Sequence, residues 1–98
     1  MAATWWTRRF GRAPAQSAWQ MLADAARLGV IRHGRPEAWA AGATIALARV
    51  RGQVGPGREI AAQEVADDFD VPLGALAVTE RELANALQLG RYAGTPSG

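Results

Sequence analysis

Cysteine is missing from the 98-residue sequence, and lysine is missing too, since all 11 basic residues are arginine. Without cysteine there are neither disulfides nor thiolate metal sites, and the composition fits a reducing cytoplasm. The lack of lysine has two readings. One is selection for planar, bidentate phosphate or carboxylate contacts. The other is codon usage in a GC-rich genome, which also inflates alanine and glycine. Serine occurs only at Ser17 and Ser97, and histidine only at His33. No H-E-x-x-H, phosphate-binding loop or dinucleotide fingerprint is present. The expectation is a non-enzymatic protein with no catalytic residues, cofactor, metal or small-molecule substrate. Asp67, Asp68 and Asp70 lack the glycine and distal glutamate of a calcium loop, and they read as a solvated helix end. His33, beside Gly34 and Arg35, reads as a loop residue.

Long apolar runs are also absent. The longest uncharged run near the middle, Ala38 to Ala48, has 11 residues, whereas a membrane span needs about 20. Trp5, Trp6, Arg8 and Arg9 have no long apolar segment after them, so no signal peptide is expected. Aromatic and β-branched residues are few, which argues against strands. What remains is 49% apolar and rich in alanine, enough for one economical core. The fold class predicted is all-α: a small bundle of four to five helices around a buried central helix, with a C-terminal helix-turn-helix.

Charge is distributed unevenly. Residues 1–58 carry nine arginines against Asp24 and Glu37, a net +7, and residues 59–98 carry Arg81 and Arg91 against seven acids, a net −5. Either the first half meets an acidic partner or the two halves attract each other within the fold.

Along the chain, residues 1–12 show no helical periodicity or clear cap. They read as a basic aromatic N-terminal arm that stacks on bases, sits at a membrane surface, or folds back over apolar surface. Residues 13–92 form the helical domain and 93–98 a disordered tail. The first helix is predicted from Pro14 to Leu28, with Gln16, Gln20, Asp24 and Arg27 outward and Ala15, Ala18, Trp19, Leu22, Ala25 and Ala26 inward. Gly29 ends it as a left-handed cap. The second starts at Pro36 and runs to about Arg51. It is apolar nearly all round and contains Gly42, whose cost in a helix implies close approach of a neighbour. The third runs from about Arg58 to Phe69 with Ala61, Val65 and Phe69 inward, and Glu64, Asp67 and Asp68 in water. Asp70 makes a turn. The fourth runs from Pro72 to Leu89, or breaks near Thr79, where Thr79 and Glu82 spell a capping box. Its inner face is Leu76, Leu83 and Leu87, Gly90 ends it, and Tyr92 docks back.

The order Ala38-Trp39-Ala40-Ala41-Gly42, Ile45-Ala46-Leu47-Ala48-Arg49, Glu64-Val65-Ala66-Asp67-Asp68-Phe69-Asp70-Val71 and Arg81-Glu82-Leu83 resembles a cyclin-type helical repeat. The repeat it is similar to is that of general transcription factor B, and the Gly34-Arg35-Pro36-Glu37 start is similar to a bacterial domain of unknown function. The resemblance covers residues 15–90. It implies about five helices around a central one, DNA or protein recognition, and no cofactor. Asp70 stands where the family prefers glycine, and Pro72 where it prefers serine. Its exposed recognition positions fall on Leu73, Gly74, Ala75, Ala77 and Val78, none of which can donate to a base edge from its side chain.

Two functions follow as expectations. The first is a transcription-related nucleic-acid-binding module that contacts phosphates through Arg8, Arg9, Arg12, Arg32, Arg35, Arg49, Arg51 and Arg58. The alternative is a protein–protein interaction adaptor that uses the Leu73–Val78 helix face.

Overall fold

The computed structural model describes residues 2–31, 35–54, 60–88 and 92, with the side chains of residues 2, 3 and 12–14 excepted. Five helices succeed one another: α1 (Ala2–Phe10), α2 (Arg12–Arg27), α3 (Pro36–Val50), α4 (Ala62–Asp68) and α5 (Leu73–Ala86). The protein is an all-α bundle. The only β-type pairing among the described residues is an isolated bridge between Val54 and Ile60.

α3 is the axis of the bundle. Pro36 occupies its first turn, where a missing N–H costs nothing, and Glu37 lies at the positive end of its dipole. Every residue from Ala38 to Ala48 is buried, and α3 packs against each of the other four helices. Thr44, the one polar residue in this run, donates its hydroxyl to the Ala40 carbonyl at 2.8 Å, so nothing polar in the run is left unpaired. Ile45 and Leu47 are wholly buried, and Trp39 is nearly so.

Gly42 explains how closely α5 approaches this axis. A Cβ built on Gly42 would lie 2.8 Å from the Thr79 Cβ and 3.0 Å from the Glu80 backbone nitrogen. The Thr79 hydroxyl in turn lies 2.9 Å from the Ala38 carbonyl of α3 and 3.0 Å from the Leu76 carbonyl. Thr79 is therefore an interhelix contact inside an unbroken α5, and the predicted break with a capping box at Thr79 does not occur. Leu76 and Leu83 lie on the buried face of α5, as their spacing predicts. The helix stops at Ala86, short of the predicted Leu89, and Leu87 is buried in extended backbone just past its end.

Residues 2–10 are helical, against the expectation of an irregular arm. No acidic residue lies in the first turn of α1, so its order comes from tertiary packing. Trp6 is fully buried, and its ring centroid lies 5.2 Å from that of Phe10 one turn on. Its indole N–H meets no acceptor among the described residues, so packing holds it. The fold-back alternative is thus the one realised. Gly11, at φ 98, is the single residue between α1 and α2, a backbone conformation that side-chain-bearing residues rarely adopt.

α2 is rotated relative to the predicted phase. Ala15, Ala18, Met21 and Ala25 face inward, Trp19 is 62% exposed, and Asp24, predicted to face water, is buried. α2 ends as expected at Gly29, with φ 76. α4 starts at Ala62, later than predicted. Val65 and Phe69 are buried, but Ala61, predicted inward, is the exposed residue before the helix. At the end of α4, Val71 N–H donates to the Ala66 carbonyl at 2.9 Å and Asp70 takes φ 57. This left-handed closure makes the predicted turn and aims α5 back along α3. Gly90 and the 93–98 tail lie outside the described residues.

The contact at Gly42 gives the first prediction. Gly42→Ala gains about 1 kcal/mol of helix propensity but loses about 1–3 kcal/mol to overpacking against backbone and Thr79. The expected outcome in urea denaturation is a net loss of stability. Gly74→Ala, with no atom within 4 Å of the added carbon, is neutral or stabilising by up to about 1 kcal/mol.

Candidate functional site

Among the described residues, several of the predicted phosphate-binding arginines meet partners within the chain. Arg9 pairs with Glu64 of α4 and lies over the Trp5 and Phe10 rings. Arg49 reaches Glu80 of α5 with Nε at 2.5 Å, and this contact raises the pKa of the guanidinium. Arg35 lies 3.6 Å from Glu37, and Arg51 donates to Gln53 at 3.1 Å. Arg8 lines a cleft of about 320 Å³ with Trp5, Arg9 and Asp68. The Trp5 indole N–H donates to Asp68 across that cleft at 2.9 Å. Arg32, Arg58 and the side chain of Arg12 lie outside the described residues, as does His33.

These contacts account for part of the charge asymmetry internally. The Arg9–Glu64 and Arg49–Glu80 pairs each join the basic half of the chain to the acidic half. Glu64, predicted to face water, is half-buried for this reason. Such partly exposed pairs are worth about 0–1 kcal/mol each. They orient α1 on α4 and α3 on α5 more than they stabilise.

The Leu73–Val78 stretch divides between core and surface. Leu76 is buried and Ala75 is half-buried against the core. Leu73 is 43% and Val78 52% exposed, and Gly74 and Ala77 are exposed as well. Val78 and Ala75 also wall an open hollow of about 420 Å³ between the start of α3 and the first turns of α5. Ala38 and Trp39 line its α3 side, Val71 and Pro72 close one part of it, and Arg35 and Glu82 carry its charges. Thr79, whose hydroxyl meets the Ala38 carbonyl and whose side chain packs on Gly42, lines the hollow as well. A mostly apolar concavity with a few polar groups is the usual form of a binding site. Sequence reasoning missed Arg35, Ala38, Trp39 and Glu82 as parts of this surface. Only the helix crossing places them beside Val78.

The best-built polar cluster lies elsewhere. Asp24 accepts hydrogen bonds from Tyr92 Oη on Oδ2 at 2.5 Å, and from Gln20 Nε2 at 2.8 Å and Arg27 Nη2 at 2.5 Å on Oδ1. Tyr92 first, then Gln20, then Arg27 hold its pKa below the ordinary 3.8, against the opposing effect of burial. Both carboxylate oxygens are thereby occupied, and the cluster clasps Tyr92 to α2. Tyr92, predicted to dock back, is buried there. Among the described residues, no group of three or more metal-ligating side chains converges, and no helix is long and apolar enough to cross a membrane. No protein-family model, curated protein or solved structure matched the chain significantly.

The Asp24 clasp predicts acid sensitivity with a definite sign. Because its folded-state pKa is depressed, Asp24 contributes stability that is complete above its unfolded pKa and lost as pH falls through the folded value. Denaturant titrations from neutral pH to below about pH 4 are expected to show wild-type stability falling at the acid end. Asp24→Asn and Tyr92→Phe both lower stability at neutral pH, and both flatten that fall.

Proposed function

We propose that the chain is a non-enzymatic protein-interaction module whose α3–α5 hollow receives an apolar helical segment of a protein partner. The observation that carries this reading is the hollow itself, about 420 Å³, flanked by the exposed Leu73 and Val78. Large apolar side chains uncovered beside a concave apolar surface mark interaction sites. An amphipathic helix laid in a groove is a recurring solution, anchored by side chains three and four residues apart. Gly74, with nothing within 4 Å of its missing Cβ, leaves room for a second backbone to come close. The charges in the hollow set the occupant's polarity. Arg35 on the α3 side calls for an acid and Glu82 on the α5 side calls for a base.

The nucleic-acid reading has less support. Of the five candidate arginines with described side chains, Arg9, Arg49 and Arg51 already contact Glu64, Glu80 and Gln53. Phosphate contacts from these residues would compete with the chain's own partners. The start of α5 presents Leu73, Gly74, Ala77 and Val78 outward, which suits apolar contact and not base reading.

A photo-crosslinking residue in place of Val78 tests the proposal in cells, with the same residue in place of the exposed Gln16 of α2 as control. The expected result is a discrete protein adduct at position 78 that disappears when Gly74→Arg is added. Equal labelling at the two positions, or a position-78 adduct untouched by Gly74→Arg, would contradict it.

A further inference from the structure

Resting on the reading of the hollow as a protein-docking site, we infer that its occupant is α5 of a second copy of this chain, related by two-fold symmetry. Ridge and hollow lie on the same face, since Val78 is 52% exposed and also forms one wall of the hollow. A two-fold interface requires a patch that complements itself. A projecting apolar ridge beside an apolar concavity meets that requirement, because each copy offers the ridge that the other copy's hollow takes.

The charges meet it as well. Among the described residues, the hollow carries one cation, Arg35, and one anion, Glu82. A two-fold operation sets Arg35 against Glu82 of the partner subunit and repeats the pair on the other side of the axis. A face lined with charges of a single sign would repel its own copy. Arg35 is available for this role, since its side chain is 61% exposed and its approach to Glu37 is loose, at 3.6 Å. The neighbouring acid of α5, Glu80, is occupied by Arg49 and does not compete. Gly74 and Ala77 are exposed on the same stretch of α5, so two α5 helices can approach with little between their backbones. Covering Leu73 and Val78 supplies the apolar drive, and the two ion pairs fix the register.

Sedimentation of the full chain over a wide concentration range tests this inference through a charge swap. Wild type is expected to show a monomer–dimer equilibrium. Arg35→Glu alone and Glu82→Arg alone each weaken it by about tenfold or more, because each sets like charges together. The double variant Arg35→Glu/Glu82→Arg restores association towards wild type. Helical circular dichroism checks that each variant is folded. Should a single reversal unfold the chain, Glu82→Gln removes the charge at nearly constant size and is expected to weaken association less. A monomer at all concentrations overturns the inference, and so does a dimer whose strength ignores the single swaps or is not rescued by the double. If sedimentation gives only monomer while the position-78 crosslinker captures a different protein, the hollow stands as a docking site and the second copy falls. If neither experiment gives a protein contact, both fall.

Discussion

The close approach of α5 to α3 at Gly42 and Thr79 is the contact on which the remaining structure depends. α3 is buried from Ala38 to Ala48 and has no polar face to turn towards water, so its neighbours must cover it on all sides. A seven-residue α4 and a nine-residue α1 cannot do this alone. The 14-residue α5 covers the largest part, and it can do so only by lying almost against the α3 backbone. A side chain at position 42 would hold it off. The Thr79 hydroxyl completes the contact by meeting the Ala38 carbonyl across the two helices.

The same crossing creates the surface assigned to function. Beside the point where α5 is fixed to α3, Trp39, Ala38 and Val71 line a hollow that no segment among the described residues fills. Val78, which walls it, and the neighbouring Leu73 stay exposed. Structure and proposed function thus share one cause. The close packing of α5 on α3 at Gly42 and Thr79 brings the start of α5 beside the apolar start of α3, and the hollow is mostly apolar because α3 is apolar throughout. The ion pairs play a supporting part. Arg49–Glu80 joins the two helices of the crossing, and Arg9–Glu64 pins α1 to α4.

Much of this was legible in the residues. α3 could be read because an alanine-rich stretch apolar on every side leaves no alternative to burial, and Gly42 announced a close neighbour. Asp70 and Gly29 were readable as left-handed closures from their residue types. α1 was not legible, since it has neither cap nor acidic first turn and is helical only because Trp6 fills the core. The phase of α2 was misread because hydropathy puts a tryptophan inside and an aspartate outside. The partner that buries Asp24 is Tyr92, 68 positions away, and no local pattern encodes that contact. The charge asymmetry was visible, but which arginine meets which acid depends on how the fold brings the side chains of α1 within reach of α4 and packs α3 on α5. Half of the hollow, the α5 half, was legible as a run of small apolar residues. Its α3 half follows from the crossing alone.

Native-state amide hydrogen exchange tests most directly whether α3, clamped by α5, is the core that everything else covers. The amides of Ala41 to Leu47 are expected to exchange slowest and only through global unfolding, with an opening free energy equal to that from denaturant titration. Amides of α1 and the first turn of α5 exchange sooner, through local opening. Exchange of the Ala41–Leu47 amides as fast as those of α1, by openings much smaller than global unfolding, would contradict the account.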